Sequence, residues 1–130
     1  MKIMVAYDGT NAAKEALYLA RKYAKALGAS AEVVTSMRSG KENQKDAIDG
    51  FEQGLEWAKS VLENDGISCR THLLIRGMSA GEDLVQFADE NDLSAIFIGV
   101  RRRSKVGKML MGSAAQYVIL NAPCPVVTVK

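Results

Sequence analysis

Two cysteines, two prolines, one histidine and one tryptophan are all that 130 residues hold of these types, and each scarcity excludes something. Cys69 and Cys124 stand far apart, match no metal-ligand spacing and each lie in an apolar run, so neither a disulfide framework nor a zinc site is expected. Both read as buried free thiols in a reducing cytoplasm. His72, the lone histidine, has no acid or nucleophile near it in sequence and reads as an edge-strand residue rather than a catalytic base. No apolar run approaches the ~18 residues of a membrane span, and Met1 to Asp8 read as a strand, not as a basic-then-apolar export signal. A net charge of +2 is too small for the total to imply a nucleic-acid partner. No glycine-rich run precedes Gly-Lys-Ser or Gly-Lys-Thr, which rules out a Walker-type phosphate loop.

What is present is an ordinary globular composition. Apolar residues make up 48% and charged residues 25%, which argues against disorder, collagen and coiled coil. The length predicts one domain, 1–130, large enough to bury about two-thirds of its unfolded surface without staples.

The chain alternates between strand and helix signals. Residues 2–7 form an apolar run ended by the turn pair Asp8-Gly9. A helix capped by Thr10 or Asn11 runs to about Leu27, with Ala13, Leu17, Ala20, Ala24 and Leu27 on one face, and Gly28 stops it. Residues 31–36 predict a second strand, followed by a polar loop from Arg38 to Asp46. Ile48, Phe51, Leu55, Ala58 and Leu62 mark the face of a second helix that ends at Asn64-Asp65-Gly66. Ile67 to Ile75 alternates, with Ser68, Arg70 and His72 between apolar neighbours, as an edge strand does. A third helix spans Gly77 to Glu90, and a fourth strand spans Ser94 to Ile98 and ends at Gly99. A basic segment follows, then a helix from Gly112 to Leu120 and a last strand over Val126 to Val129, its entry kept out of helix by Pro123 and Pro125. Strands separated by helices require crossovers, so the sheet is expected to be parallel with helices on both faces. In such α/β sheets ligands sit beyond the carboxyl ends of the strands, which directs attention to the loops after Tyr7, Ser36 and Ile98.

Gly99 to Ser113 is the most informative segment. It leaves a buried strand, carries Arg101, Arg102, Arg103, Lys105 and Lys108, and enters a helix at Gly112-Ser113. A helix start offers unpaired N–H groups and the positive end of a dipole, which together favour an anion. Gly112 would admit a phosphate to the backbone, and Ser113 can donate its N–H and its hydroxyl. The bland alternative is a solvated basic turn before an ordinary helix. Asp8, at the same sheet edge, can accept both hydroxyls of a ribose, or it can simply orient the turn before Gly9. No aromatic residues interleave with the cations, so a base-stacking RNA surface lacks its platform. Met109 and Met111 around Leu110 read as packing residues, and Trp57 lies off the main face of its helix.

These residues resemble the universal stress proteins over essentially the whole chain. The resemblance rests on the opening Ile-Met-Val-Ala-Tyr-Asp-Gly-Thr, the Gly99 to Ser113 loop and the closing Asn-Ala-Pro-Cys-Pro-Val-Val-Thr-Val. Nucleotide-binding members carry glycine, two residues, glycine, nine residues, then glycine with serine or threonine. Gly99, Gly112 and Ser113 match, whereas Arg102 stands in place of the middle glycine. Arg102 either obstructs the site or supplies a charge-assisted phosphate contact, and the triplet Arg101-Arg102-Arg103 favours the second.

The resemblance implies an α/β fold, a three-layer doubly wound parallel sheet in the order 3-2-1-4-5, forming one universal-stress-protein domain. It implies ATP or AMP as ligand, ATP with Mg, and a homodimer paired through Val126 to Val129. Carried over by position, Ala6 and Ser36 flank the adenine beside Tyr7, Asp8 takes the ribose, and Gly99, Gly112 and Ser113 take the phosphates. Ile98, Arg101, Arg102 and Ala114 complete the set. Ser36 stands where members usually have an apolar residue. No general base is evident at a γ-phosphate, so the expectation is a nucleotide-responsive regulatory module, with slow ATP hydrolysis left open. The alternative is a dimeric protein-interaction module without nucleotide.

Overall fold

The computed structural model describes residues 1–38, 44–100 and 111–130. Strands and helices alternate along them: β1 (Lys2–Ala6), α1 (Asn11–Leu27), β2 (Ser30–Ser36), α2 (Gln44–Glu63), β3 (Cys69–Leu74), α3 (Ala80–Asn91), β4 (Ala95–Gly99), α4 (Ser113–Asn121) and β5 (Val126–Val129). Every strand pairing is parallel, and the order is β3-β2-β1-β4-β5. The order reverses between β1 and β4, so the loops after these two strands diverge and leave a crevice at their carboxyl ends.

Side chains alternate across the sheet and divide the core in two. Ile3 and Val5 of β1 and Val33 of β2 pack with Leu17, Ala20, Leu55 and Leu62, under α1 and α2. Met4, Ala6, Val34, Ile96 and Ile98 pack with Leu84, Phe87 and Val118, under α3 and α4. Both faces of the central strands are therefore covered, which explains why β1 and β4 read as unbroken apolar runs.

Of the two candidate caps for α1, Thr10 is the one used: its hydroxyl accepts the Ala13 N–H at 3.2 Å. Ala13, Leu17, Ala20 and Ala24 are buried as their spacing predicts, but Leu27 is exposed, as the last residue of the helix before the Gly28 cap turns the chain back towards β2. In α2 the second half, Leu55, Ala58 and Leu62, is buried, while Ile48 and Phe51 are only half-buried. The third helix begins at Ala80 rather than Gly77, because Ser79 takes the N-cap position.

β3 is an edge strand, as its alternation predicts. His72 is nonetheless not isolated: its Nε2 lies 3.1 Å from Oε1 of the buried Glu32, and its ring packs 4.8 Å from that of Phe87. Both cysteines are free thiols, with Cys69 buried but Cys124 only half-buried between its prolines. Trp57 is partly exposed, its ring 6.3 Å from those of both Tyr7 and Tyr18. Among the described residues no helix is long and apolar enough to cross a membrane.

Candidate functional site

The carboxyl end of β1 turns sharply. Gly9 adopts φ +80°, a conformation that side-chain-bearing residues avoid. Asp8 Oδ1 accepts from the Thr10 N–H at 3.1 Å and from its hydroxyl at 2.6 Å, so the carboxylate is oriented by the very residue that caps α1. The turn reading of Asp8 thus holds, and the turn also fixes where the carboxylate stands. Tyr7 donates its N–H to Val34 at 2.9 Å and accepts the Thr35 hydroxyl at 2.6 Å, tying this end of β1 to β2.

Gly99 ends β4 against the first turn of α1. A Cβ placed there would lie 2.4 Å from the Ala12 carbonyl carbon and 2.6 Å from its oxygen. Glycine at this position is therefore required for helix and strand to approach, whatever the loop binds. Gly112 differs. It takes the N-cap position of α4 with φ −64° and makes no side-chain cap bond, and a Cβ added there meets no described atom within 4 Å. The α4 N-terminus, with its first N–H groups lacking intrahelical acceptors, borders a cavity.

These termini enclose a cavity of about 310 Å³. Of the positions singled out in the sequence, Ala6, Tyr7, Asp8, Ser36, Ile98, Gly99, Gly112, Ser113 and Ala114 all line it. Arg101 and Arg102 lie outside the described residues. Tyr7 contributes differently from Ala6: its ring packs in the core under α1 and α2, 6.3 Å from Trp57, while Ala6 faces the layer of α3 and α4. Burial, followed by the neighbouring Tyr18 and Asp8, raises the Tyr7 pKa above its usual value.

Six wall residues escaped reading as site residues: Thr10, Ala13, Val34, Ala80, Leu84 and Ala115. Val34, Ala80 and Leu84 line the cavity from β2 and α3; as apolar residues in periodic runs they signalled only core. Behind them sits Asp83, fully buried on α3. It accepts the Ser36 hydroxyl on Oδ2 at 2.6 Å and the Arg76 Nε–H on Oδ1 at 2.6 Å. Arg76 also donates to Glu90 at 3.0 Å and to the Asp83 carbonyl at 3.2 Å. Burial alone would lower the Arg76 pKa, but the hydrogen bonds to Glu90 and Asp83 outweigh it and keep the guanidinium charged.

The site therefore combines apolar walls, a carboxylate at a turn, and a helix N-terminus over a crevice, within the size range of small-molecule pockets. Such an arrangement can hold a flat apolar ring beside an anionic tail. Among the described residues no group of His, Cys, Asp or Glu could hold a metal ion.

A universal stress protein of Archaeoglobus fulgidus has a solved structure that is 39% identical and superposes with a TM-score of 0.91 over 100% of this chain and 98% of its own. A universal stress protein of the same organism, solved in complex with dAMP, is 36% identical with a TM-score of 0.85, over 100% of this chain and 98% of its own. A curated universal stress protein of Thermus aquaticus is 31% identical over 134 residues, covering 98% of this chain and 97% of the relative. Residues 1–130 match the profile of the universal stress protein family, and the chain belongs to that family.

Proposed function

We propose that this chain is a regulatory module that binds ATP or AMP at the carboxyl edge of its sheet. The observation that carries the reading is convergence: residues from β1, β2, β4 and α4, scattered along the sequence, meet around one cavity. Ala6, Val34, Ile98 and Leu84 suit the adenine ring, Asp8 the ribose hydroxyls, and Gly112 with Ser113 the phosphates at the α4 N-terminus. The Archaeoglobus relative solved with dAMP supports the same ligand class. Arg101 and Arg102 add cations on the segment leading to that terminus, and ATP would bring Mg with it. The role is nucleotide-responsive binding in the cytoplasm, with slow ATP hydrolysis left open.

Calorimetric titration with AMP and ATP, backed by mass spectrometry of small molecules released on denaturation, tests the reading. The expected result is saturable binding near one nucleotide per chain. Asp8→Ala and Ser113→Ala should each weaken it by about tenfold or more, the size of a hydrogen bond to a charged or ordered ligand group. Lys45→Ala, at an exposed position that does not line the cavity, leaves affinity unchanged. Arg102→Gly weakens ATP binding if the arginine is a phosphate ligand and strengthens it if the arginine is an obstacle. Wild-type protein that ignores millimolar AMP and ATP would sink the proposal.

A second reading has its own support at the β5 edge of the sheet. β5 ends the sheet, and the adjoining α4 leaves Tyr117, Ile119 and Leu120 exposed, Leu120 by 81%. We infer a homodimer paired through Val126 to Val129. This surface serves a protein-interaction module equally well whether or not nucleotide binds.

A further inference from the structure

Ser36 is a polar residue on an otherwise apolar wall, and its one proton is already committed. The hydroxyl donates to Asp83 Oδ2 at 2.6 Å. Asp83 is fully buried and its other oxygen is held by Arg76 at 2.6 Å, a charged pair in which the carboxylate only accepts. With the proton directed into α3, the Ser36 oxygen has nothing but lone pairs to offer the cavity that it lines. A hydroxyl normally rotates to suit whatever it meets; this one is fixed as an acceptor.

We propose that Ser36 makes the site selective for 6-aminopurines over 6-oxopurines, with the buried Asp83–Arg76 pair as the positioning device. The reading rests on the nucleotide function above. An exocyclic amino group donates to a fixed acceptor, whereas a 6-oxo group sets one lone pair against another and leaves both oxygens without a proton between them. A site built around one hydrogen-bond polarity rejects the opposite polarity far more strongly than an apolar pocket rejects a change of shape. Asp83 touches no ligand. Its part is to hold the proton of Ser36, so a change at Asp83 alters the preference only through Ser36.

The test is calorimetric titration of the full chain with AMP, IMP and the purine ribonucleotide that lacks any 6-substituent. Wild-type protein should bind AMP at least about tenfold more tightly than either of the others, the discrimination expected of one enforced hydrogen bond. Ser36→Ala should weaken AMP, leave the unsubstituted purine nearly unchanged, and bring the three affinities together. Ser36→Thr, which keeps the hydroxyl, should restore the preference. Asp83→Asn should narrow it by freeing the proton; should that variant not fold, the Ser36 pair decides alone. A preference that survives Ser36→Ala undiminished would overturn the proposal while leaving nucleotide binding intact. Wild-type protein that binds none of the three would overturn both.

Discussion

Cys69 opens the edge strand β3 with a thiol that burial, together with Glu63 and Glu32, pushes up to about 11 from the ordinary 9.0. A thiol whose folded pKa lies above its unfolded one holds its proton more tightly in the native state. Its contribution to stability is therefore whole below about pH 9 and is lost as pH rises through about 11. Thermal melts of wild type and Cys69→Ala between pH 8 and 11 should show wild type losing stability relative to the variant above pH 9; parallel curves would refute the argument. At this scale legibility was uneven. Asp8, Gly112 and Ser113 stood out because turns and helix starts demand particular residue types over a few positions. Asp83 did not, because its partner Ser36 is 47 positions away and no local pattern links them. The same holds for Glu32 and His72, 40 positions apart. A buried charge announces its need for a partner, but not which one.

Two glycines of one motif separate at the scale of elements. Gly99 seats the end of β4 on α1, where an added Cβ would run into the Ala12 backbone at 2.4 Å, while a Cβ on Gly112 meets no described atom within 4 Å. Backbone cannot yield as a flexible side chain does, so Gly99→Ala should cost about 3 kcal/mol, the upper part of the range for overpacking, or roughly 10 °C in melting temperature. Gly112→Ala exchanges a favoured N-cap residue for a poor one without a clash with any described atom, and should cost only about 1 kcal/mol. Differential scanning calorimetry on the two variants decides it; equal losses would mean that the α1–β4 approach is not what requires Gly99. The order of elements was readable throughout, since apolar spacing switches cleanly between the helical and strand periods. Their ends were less so, as with the start of α3, which depends on which of several polar residues takes the cap. The strand order was not readable from periodicity. Pattern says that a strand is buried on both faces but not which strands flank it, and the order 3-2-1-4-5 came with the family resemblance.

For the whole molecule the open question is what meets the β5 edge. Ile96 N–H donates to the Pro125 carbonyl and Val100 N–H to that of Val129, so alternate backbone groups of β5 face β4. In a parallel ladder the groups between them, those of Val126 and Thr128, then face outward. An edge of this kind is a template for another strand, and proteins either protect it or use it. Here the neighbouring helix adds Ile119 and Leu120 rather than charge, which favours use. Thr128→Pro separates pairing between chains from pairing within one. Proline at this outward position removes the β5 N–H that would donate to a partner strand while sparing the β4–β5 hydrogen bonds. The wild-type chain should sediment as a dimer at micromolar concentration and the variant as a monomer, with nearly unchanged circular dichroism. A variant that stays dimeric would move the interface away from β5, and a wild-type monomer would remove it. The cavity lies at the carboxyl ends of β1 and β4, and β4 is the strand to which β5 pairs. If the β5 pairing exists, the same titrations run on the monomeric variant measure whether dimer formation and nucleotide binding are linked, because any ligand that prefers one assembly state must shift that equilibrium by the ratio of its affinities.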